Sequence, residues 1–447
     1  MWADRLGAGA AAATADGTAP HWAGRASAEA AREGWIFFVF AAGVISVVFL
    51  QKLCLPGNIE VAFPIEVVSL MLLFAAIGLR LNVSRLVLYA VFCVLAVTSQ
   101  FLRGRAFSFP SLLMAVSLYA PFCVEYKVSA ETYKRCLRFF LDVMIVITVI
   151  VWVEHVIQLA IGYKYWINLD NIIPDIFQYK HYAYIHSMEW KSKYLKPNGI
   201  FFAEVSILSQ FLGLAFLIEL RMFQRPWRLA VYLATVLATF AGTGLLLIAV
   251  SLPFLMPRLS ARVWAAMAVI GGMMLALAIQ AGWYETMAKR VLEFGQSGRS
   301  ANERFVAPLD LLADFARRPS AAFVGNGAGT MPINHGEVWW PITKVSVEYG
   351  IATGIALYVF LIVAMFRRAP DKVISLAFII FYSFLNGSFI LPYVLVSCAL
   401  FCTFLRVDSQ SSAPPAEPLN VRAGAALMAR RAAGALRKPT RVWVTNG

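Results

Sequence analysis

Three glycines at alternate positions, Gly325, Gly327 and Gly329, stand near the end of a polar stretch that separates two hydrophobic blocks. Alternate glycines allow backbone conformations that turn successive N–H groups toward an anion such as a phosphate. No Gly-Lys-Ser/Thr follows, and no strand precedes in a dinucleotide-binding pattern, so the segment matches neither of those phosphate loops. An anion-binding loop and a plain glycine-rich turn are the two interpretations left open.

The same stretch carries a histidine and arginines that could act on a phosphorylated substrate. His335, six residues after Gly329, titrates near neutrality and could accept or donate a proton. Guanidinium groups bind diphosphate in bidentate fashion and stay charged at any working pH. The arginines concerned are Arg290, Arg299 and Arg304. A hydrogen-bonded histidine at the membrane interface and solvated surface arginines are the alternatives.

Three more charged side chains fall inside predicted membrane spans, where charge is costly and usually functional. Glu204 lies about one turn inside a span. Lys344 and Glu348 are four residues apart at the start of another span, so they can pair on one helix face. The alternative for this pair is a role in packing only.

A second polar interval, residues 162–198, combines aromatic residues with lysines, among them Trp190 and Lys196. Aromatic faces could stack on sugar rings while the lysines hold anionic groups. An amphipathic segment at headgroup depth is an equally good interpretation, because Trp and Tyr favour that depth.

The elements that position these residues are membrane helices. Hydrophobic residues make up 60% of the 447 and charged residues 14%, and the mean hydropathy is +0.69. A soluble domain could not cover its surface with so few charges. The apolar runs are continuous and long enough to span as helices, which predicts an all-α polytopic membrane protein and not a β-barrel. The net charge of +14 does not indicate nucleic-acid binding, because the basic residues are spread over short loops and both tails.

We predict about twelve spans in one transmembrane domain, 35–405, between a flexible tail at 1–34 and a basic tail at 406–447. The block 229–256 decides the topology, because it is either one long helix or two limbs turning at Gly242-Thr243-Gly244. Two limbs place the arginines on both sides of the block in the cytoplasm, as the positive-inside rule prefers. Both termini are then cytoplasmic, and both large loops, 162–198 and 283–341, are periplasmic.

The order of these motifs resembles the Wzy-type polysaccharide polymerases and O-antigen ligases. A loop with arginines leads to Gly-x-Gly-x-Gly, then a histidine, then a span opening with Glu348-Tyr-Gly350-Ile. The earlier Lys196-Pro-Asn-Gly-Ile-Phe-Phe-Ala-Glu204-Val-Ser is similar to the family's Gly-x-Phe-x-Glu-Pro-Ser element, with Val205 in place of the proline. The first loop has lysines and no arginine, so an arginine role cannot be carried onto it.

The resemblance implies an integral-membrane glycosyltransferase of the bacterial inner membrane that uses undecaprenyl-diphosphate-linked sugars. Arg304, with Arg299 or Arg290, would stabilise the leaving diphosphate. His335 is the first candidate for the base or positioning acceptor, and Glu204 or Glu348 is the second. A flippase and a chain-length regulator are implied as partners, and no cofactor or metal is required.

Three functions follow from these expectations. The first is polymerisation of carrier-linked repeat units into an exported polysaccharide, such as an exopolysaccharide, capsule or O-antigen. The second is a ligase that moves a finished glycan from the same carrier to a lipid or protein acceptor. A membrane transporter is the third, and it fits less well because the sequence has no inverted repeat and no paired broken helices.

Overall fold

The computed structural model describes residues 21–56, 59–104, 107–162, 168–179, 185–187, 194–255, 261–280, 300–331 and 340–407. Within these ranges the chain is mainly helical. Four of the described helices are long and apolar enough to cross a membrane, and seven shorter apolar helices accompany them. The four are Ser27–Phe49, Val83–Arg103, Ala130–Ala160 and Val205–Met222. A helical, membrane-associated protein is therefore confirmed, while the twelve spans and two periplasmic loops stay predictions.

The described helices are numbered in chain order. The first six are α1 (His21–Phe49), α2 (Ala62–Ile77), α3 (Val83–Leu102), α4 (Phe109–Ser117), α5 (Ala130–Ala160) and α6 (Val205–Met222). The next five are α7 (Pro226–Ala238), α8 (Gly242–Ser251), α9 (Ala261–Gln280), α10 (Ser300–Phe305) and α11 (Ala307–Ala316). The last four are α12 (Pro341–Tyr349), α13 (Ile351–Phe366), α14 (Lys372–Phe384) and α15 (Pro392–Cys398), which continues as a π-helix over Ala399–Phe404.

Short strands and single 3₁₀ turns complete the described chain. Strands β1 (Cys54–Leu55) and β2 (Ile59–Glu60) are antiparallel, and β3 (Tyr126–Val128) pairs in parallel with β4 (Leu405–Val407). The 3₁₀ turns are Ala120–Cys123, Leu169–Asn171, Asp175–Phe177 and Leu252–Phe254. The β3–β4 pair joins the middle of the chain to the end of the last helix.

Polar side chains cap the N-termini of several helices. The side chains of Asn82, Ser108, Ser129 and Asp371 accept hydrogen bonds from backbone N–H groups in the first turns of α3, α4, α5 and α14. Such caps satisfy donors that have no partner inside the helix. These caps therefore fix the residue at which each helix begins, which the apolar runs in the sequence do not define.

Most ion pairs of the described residues lie at one end of the helix bundle, which we call the basic end. Oxygens of Glu125 lie 3.4 Å from Arg85, 3.7 Å from Arg368 and 3.0 Å from Arg406. The other pairs at this end are Arg221–Asp371, Arg225–Glu219 and Arg228–Asp142. Arginine collected at one end of a bundle is the arrangement that short cytoplasmic loops produce.

The opposite end, which we call the loop end, is joined by hydrogen bonds between side chains and backbone. Gln51 Oε1 accepts from the Ala203 N–H at 3.2 Å, and Gln100 Oε1 accepts from the Ala328 N–H at 2.8 Å. Helix α6 connects the two ends, because it begins beside Ala203 and its last turn contains Arg221. Its 18 residues correspond to roughly 27 Å at 1.5 Å per residue.

Helices α7 and α8 are the two limbs predicted for the block 229–256. Arg228 pairs with Asp142 near the start of α7, and His155 Nε2 lies 2.9 Å from the Ala238 carbonyl at its end. Helix α7 therefore runs along α5 toward the loop end. In α8 the Gly244 N–H donates to Ser209 Oγ at 3.0 Å, near the start of α6. Helix α8 returns beside α6 and runs in the same direction.

The turn between these limbs lies at residues 239–241, just before the predicted Gly242-Thr243-Gly244. Phe240 has φ +53 and reverses the chain there. Gly244 instead allows close helix packing, because a Cβ at this position would overlap the backbone of Ser209. The two-limb prediction is confirmed at the level of the helices, and Gly244 serves the helix contact and not the turn.

The predicted tails differ from the described structure at their inner boundaries. Helix α1 begins at His21, inside the segment 1–34 that we predicted as flexible, because the Ala-rich run before Trp35 is a strong helix former. Arg406 and Val407 belong to β4. Residues 1–20 and 408–447 lie outside the described residues.

Candidate functional site

The glycine segment, Gly325–Gly329, packs against α12, and hydrogen bonds from its backbone N–H groups hold it there. Asn326 N–H donates to the Val347 carbonyl at 2.7 Å, Gly327 N–H to the Glu348 carbonyl at 3.0 Å, and Ala328 N–H to Gln100 Oε1 at 2.8 Å. These three N–H groups therefore point into the protein. An anion bound by this segment would use other donors, and anion binding here stays a prediction.

Each of the three glycines is required by a close contact. A Cβ on Gly325 would overlap the backbone of α12 at Glu348. Gly327 has φ +105, and a Cβ there would overlap the Arg103 guanidinium. Gly329 has φ +67, and a Cβ there would lie 2.7 Å from Ser111 Oγ. Positive φ and lack of space both exclude larger residues at the last two positions.

Glu348 is a buried carboxylate that faces the glycine segment. Its side chain is 1% exposed, and its carboxylate lies beside the backbone N–H groups of Gly329 and Met331, while Oε1 forms no hydrogen bond within the described residues. Lys344 Nζ lies 4.0 Å from Glu348 Oε1, so the predicted pair forms on one face of α12. Two residues later, Gly350 has φ +93 and separates α12 from α13. The predicted single span 342–366 is therefore two helices joined at a glycine.

An apolar groove of about 260 Å³ lies between α12, α13 and α14. Its lining residues are Trp340, Ile342, Tyr358, Ile362, Ile379, Ser383 and Phe384. Ile362 and Phe384 are 49% and 45% exposed, so the groove opens on the outside of the helix bundle. Lys344 is one helical turn beyond Trp340 and places a cation near the loop end of this apolar surface.

Arg304 lies on α10, which leads directly into α11. The Thr343 hydroxyl of α12 donates to the Pro308 carbonyl of α11 at 3.2 Å. Arg304 is half-buried and forms no ion pair within the described residues. Arg304 therefore precedes Pro308, the residue that contacts α12, by four positions, and α12 is the helix that carries Lys344.

Glu204 occupies the N-cap position of α6 at the loop end. It is half-buried, and the Ser206 hydroxyl donates to its carboxylate at 2.8 Å. The preceding residue, Ala203, is fixed by Gln51. Lys196 lies eight residues earlier, where its N–H donates to the His186 carbonyl at 2.7 Å. Its neighbour Leu195 donates to Gln158 Oε1 at 2.8 Å.

The predicted site residues thus form two groups at the loop end. The first is Glu348 with Lys344, whose Nζ is 4.0 Å from its carboxylate, and the three glycines, of which Gly327 donates its N–H to the Glu348 carbonyl. The second is Glu204 and Lys196. Helix α6, which follows Glu204, and Trp340, which precedes α12, both contact the end of α14, because Gln210 of α6 donates to the Leu385 carbonyl at 3.1 Å and the Trp340 and Phe384 rings are 5.1 Å apart. Within the described chain no hydrogen bond or ion pair joins the two groups directly.

Four predicted site residues lie outside the described residues, namely His335, Arg290, Arg299 and Trp190. Among the described residues no group of His, Cys, Asp and Glu could hold a metal ion.

Three residues that contact these groups were absent from our predicted site. Gln100 and Arg103 reach the glycine segment from α3, more than 200 positions earlier in the chain. Glu154 contacts the backbone at residues 199–200 from α5. Only Glu154 carried a signal in the sequence, as a charged residue within an apolar span.

The comparisons with known proteins leave the family open. This chain matches no protein-family model, no curated protein and no solved structure.

Proposed function

We propose that this protein polymerises undecaprenyl-diphosphate-linked oligosaccharide repeat units into an exported polysaccharide. The observation that carries the proposal is the position of Lys344 on the helix whose first residues border the apolar groove. A cation beside a lipid-facing hydrocarbon surface suits an amphiphile with an anionic head and a long apolar tail. An isoprenoid diphosphate is such an amphiphile.

In the proposed reaction, a hydroxyl at the non-reducing end of one lipid-linked unit attacks the anomeric carbon of the growing chain. The bond from that carbon to the diphosphate oxygen breaks, and undecaprenyl diphosphate leaves with the electron pair. Arg304 and Lys344, with Arg299 and Arg290, would stabilise the charge that develops on this leaving group. The hydroxyl proton would pass to His335 or to Glu204.

Of the two candidate carboxylates, Glu204 suits the role of base better than Glu348. Glu204 is half-buried at the start of a helix, so a substrate hydroxyl could reach it. Glu348 is buried, its carboxylate faces the glycine segment, and its backbone carbonyl accepts from the Gly327 N–H. We therefore assign Glu348 to holding that segment in place.

The proposed orientation puts the basic end in the cytoplasm and the loop end in the periplasm. The arginines collected at the basic end support this choice. Lys196 and the proposed site would then face the side of the inner membrane where carrier-linked units are exported. A flippase would deliver the units, and a chain-length regulator would limit the polymer.

The first test examines lipid-linked glycans in cells that carry Arg304→Ala or His335→Ala at equal protein abundance. Arg317→Ala is the matched control for Arg304, because Arg317 is exposed and pairs with Asp314 three residues away. We expect single repeat units to accumulate with both site variants and normal polymer with the control. Normal polymer in both site variants would refute the assigned site.

The same cells separate the polymerase from the ligase. A ligase variant would leave polymer of normal length attached to the carrier, because chain growth would precede the missing step. Such carrier-bound polymer would replace the polymerase proposal with transfer of a finished glycan to a lipid or protein acceptor.

The groove is tested with a bulky substitution in its lining. Ile362→Trp should fill the groove and lower polymer yield at unchanged protein abundance. Ile355→Trp is the control, because Ile355 is 57% exposed on the same helix and is not among the groove-lining residues. Equal yields from the two variants would remove the groove from the proposed site.

A further inference from the structure

A buried carboxylate at the loop end of α5 binds the backbone just before α6. Glu154 is 2% exposed. Its carboxylate oxygens accept from the Gly199 N–H at 2.9 Å and from the Ile200 N–H at 3.2 Å. The Asn198 side chain also accepts from the Ile200 N–H, at 3.0 Å. Two consecutive backbone donors therefore converge on one side chain from another helix.

The two residues bound by Glu154 have left-handed backbone conformations. Gly199 has φ +62 and Ile200 has φ +64. Glycine adopts this conformation freely, but a β-branched residue rarely does. Such strain persists only where the surrounding structure holds it, and it concentrates at functional sites. Consecutive N–H groups in this conformation form a concave anion-binding surface, and here the anion is the chain's own carboxylate.

The strained turn fixes the chain that leads to Glu204. Three residues separate Ile200 from Glu204, and the N–H of one of them, Ala203, donates to Gln51 Oε1. On the other side of the turn, Gln158 binds the backbone of Leu195 next to Lys196. Side chains of α5 and the segment after α1 therefore hold the backbone on both sides of Gly199–Ile200.

We infer that Glu154 is a positioning residue that holds the strained Gly199–Ile200 turn and so sets the positions of Glu204 and Lys196. This inference rests on the proposed function, because Glu204 and Lys196 matter through the reaction assigned to them. Glu154 does not touch the substrate. It acts through the backbone that it binds.

The test uses Glu154→Gln and the double variant Glu154→Gln/Ile200→Gly in the full-length protein. The amide of Glu154→Gln has one acceptor oxygen and no negative charge, so the turn loses one of its two hydrogen bonds to residue 154, while Asn198 still accepts from the Ile200 N–H. Glycine at position 200 removes the strain but supplies no acceptor. Glu66→Gln is the control, because Glu66 is a buried carboxyl in α2 that forms no hydrogen bond or ion pair within the described residues.

Three quantities are measured for each variant: the melting temperature, hydrogen exchange of the backbone over residues 195–208, and polymer formation in cells. Glu154→Gln should melt earlier, exchange faster in this segment and form polymer about 100-fold more slowly, the loss that a misplacement of about 1 Å causes. The double variant should regain its melting temperature but neither its slow exchange nor its polymer.

Recovery of polymer together with the melting temperature in the double variant would overturn the inference, because Glu154 would then matter for stability only. Unchanged exchange in Glu154→Gln would overturn it as well. If the wild-type chain forms no polymer, the proposed function fails, while the exchange measurement still shows whether Glu154 holds the turn.

Discussion

Gln100 and Ala328 are 228 positions apart in the chain, yet the Gln100 side chain accepts the Ala328 N–H at 2.8 Å. Gln100 is 1% exposed, and its amide nitrogen lies 2.9 Å from Ser99 Oγ and 3.4 Å from the Glu348 carbonyl. One side chain of α3 therefore contacts both the glycine segment and the helix on which that segment packs.

Replacing Gln100 with leucine should destabilise the protein. The Ala328 N–H would remain buried without an acceptor, which costs about 1–3 kcal/mol. Thermal unfolding of the detergent-solubilised protein measures the loss. Gln100→Glu adds a buried charge but keeps an acceptor oxygen for the Ala328 N–H. Hydrogen exchange should therefore show the backbone around Ala328 as protected in this variant as in the wild type. A Gln100→Leu variant as stable as wild type would show that this hydrogen bond contributes nothing net.

Gly327→Ala should destabilise the glycine segment more than an ordinary glycine-to-alanine change. The left-handed conformation costs an alanine roughly 1–2 kcal/mol, and the added methyl group would also displace the Arg103 guanidinium. Gly242→Ala is the matched control, because no atom lies within 4 Å of a Cβ at that position and its φ is not positive. Equal melting temperatures for the two variants would contradict the packing described for Gly327.

The contact between α6 and α8 should be equally intolerant of larger side chains in place of its glycines. Gly244→Val would force the helices apart, since even a Cβ at this position would overlap the Ser209 backbone. A Cβ added to Gly213, on the facing helix, would lie 3.1 Å from the Gly244 carbonyl oxygen. We expect a large loss of folded protein, measured by gel filtration and thermal unfolding. Gly271→Val, at a helical position with no atom within 4 Å of an added Cβ, should fold normally.

Stability at low pH should depend on Glu125. Burial raises its pKa, but hydrogen bonds from Asn82 and Arg406 and the charge of Arg85 outweigh burial and hold the pKa below its ordinary value. A folded-state pKa below the unfolded one stabilises the protein fully above the unfolded value, about 4.3. This stabilisation is lost as the pH falls through the folded-state pKa.

We therefore expect the melting temperature of the wild type to fall progressively as the pH drops below about 4.3. Glu125→Gln should melt earlier at neutral pH, because Arg85 loses its buried anion, and should show a smaller fall in acid. Glu131→Gln, at an exposed position in the first turn of α5, is the control. An acid profile identical in wild type and Glu125→Gln would assign the transition to other carboxylates.

Local rules were enough to predict some of these features. The Lys344–Glu348 pair follows from the helical repeat, and the two limbs α7 and α8 follow from the arginines on either side of them. The partners of the glycines could not be predicted in this way. Arg103 and Gln100 meet Gly327 and Ala328 only because α3 packs beside α12, and no spacing in the sequence encodes that neighbourhood.

The glycines also show that a glycine-rich sequence can be explained either by the backbone conformation or by close packing. At Gly242-Thr243-Gly244 the sequence predicts a turn, and at Gly325–Gly329 it leaves an anion-binding loop and a plain glycine-rich turn open. In the structure Gly244 and the three glycines of the second segment lie where a Cβ would meet a neighbouring part of the protein, whereas nothing lies within 4 Å of a Cβ on Gly242. A sequence reports that a position is small, but the reason depends on which atoms approach it.

The Glu125 cluster imposes an order on assembly during synthesis. Its arginines come from positions 85, 368 and 406, and β4 completes the pair with β3 only after the last helix has been made. Arg368 is made before Arg406, so Glu125 first has Arg85 alone, then Arg368, and gains its last cation only when residues 405–407 have been made. The same three residues form β4, so the cluster and the β3–β4 pair are completed together, after all fifteen described helices have been synthesised.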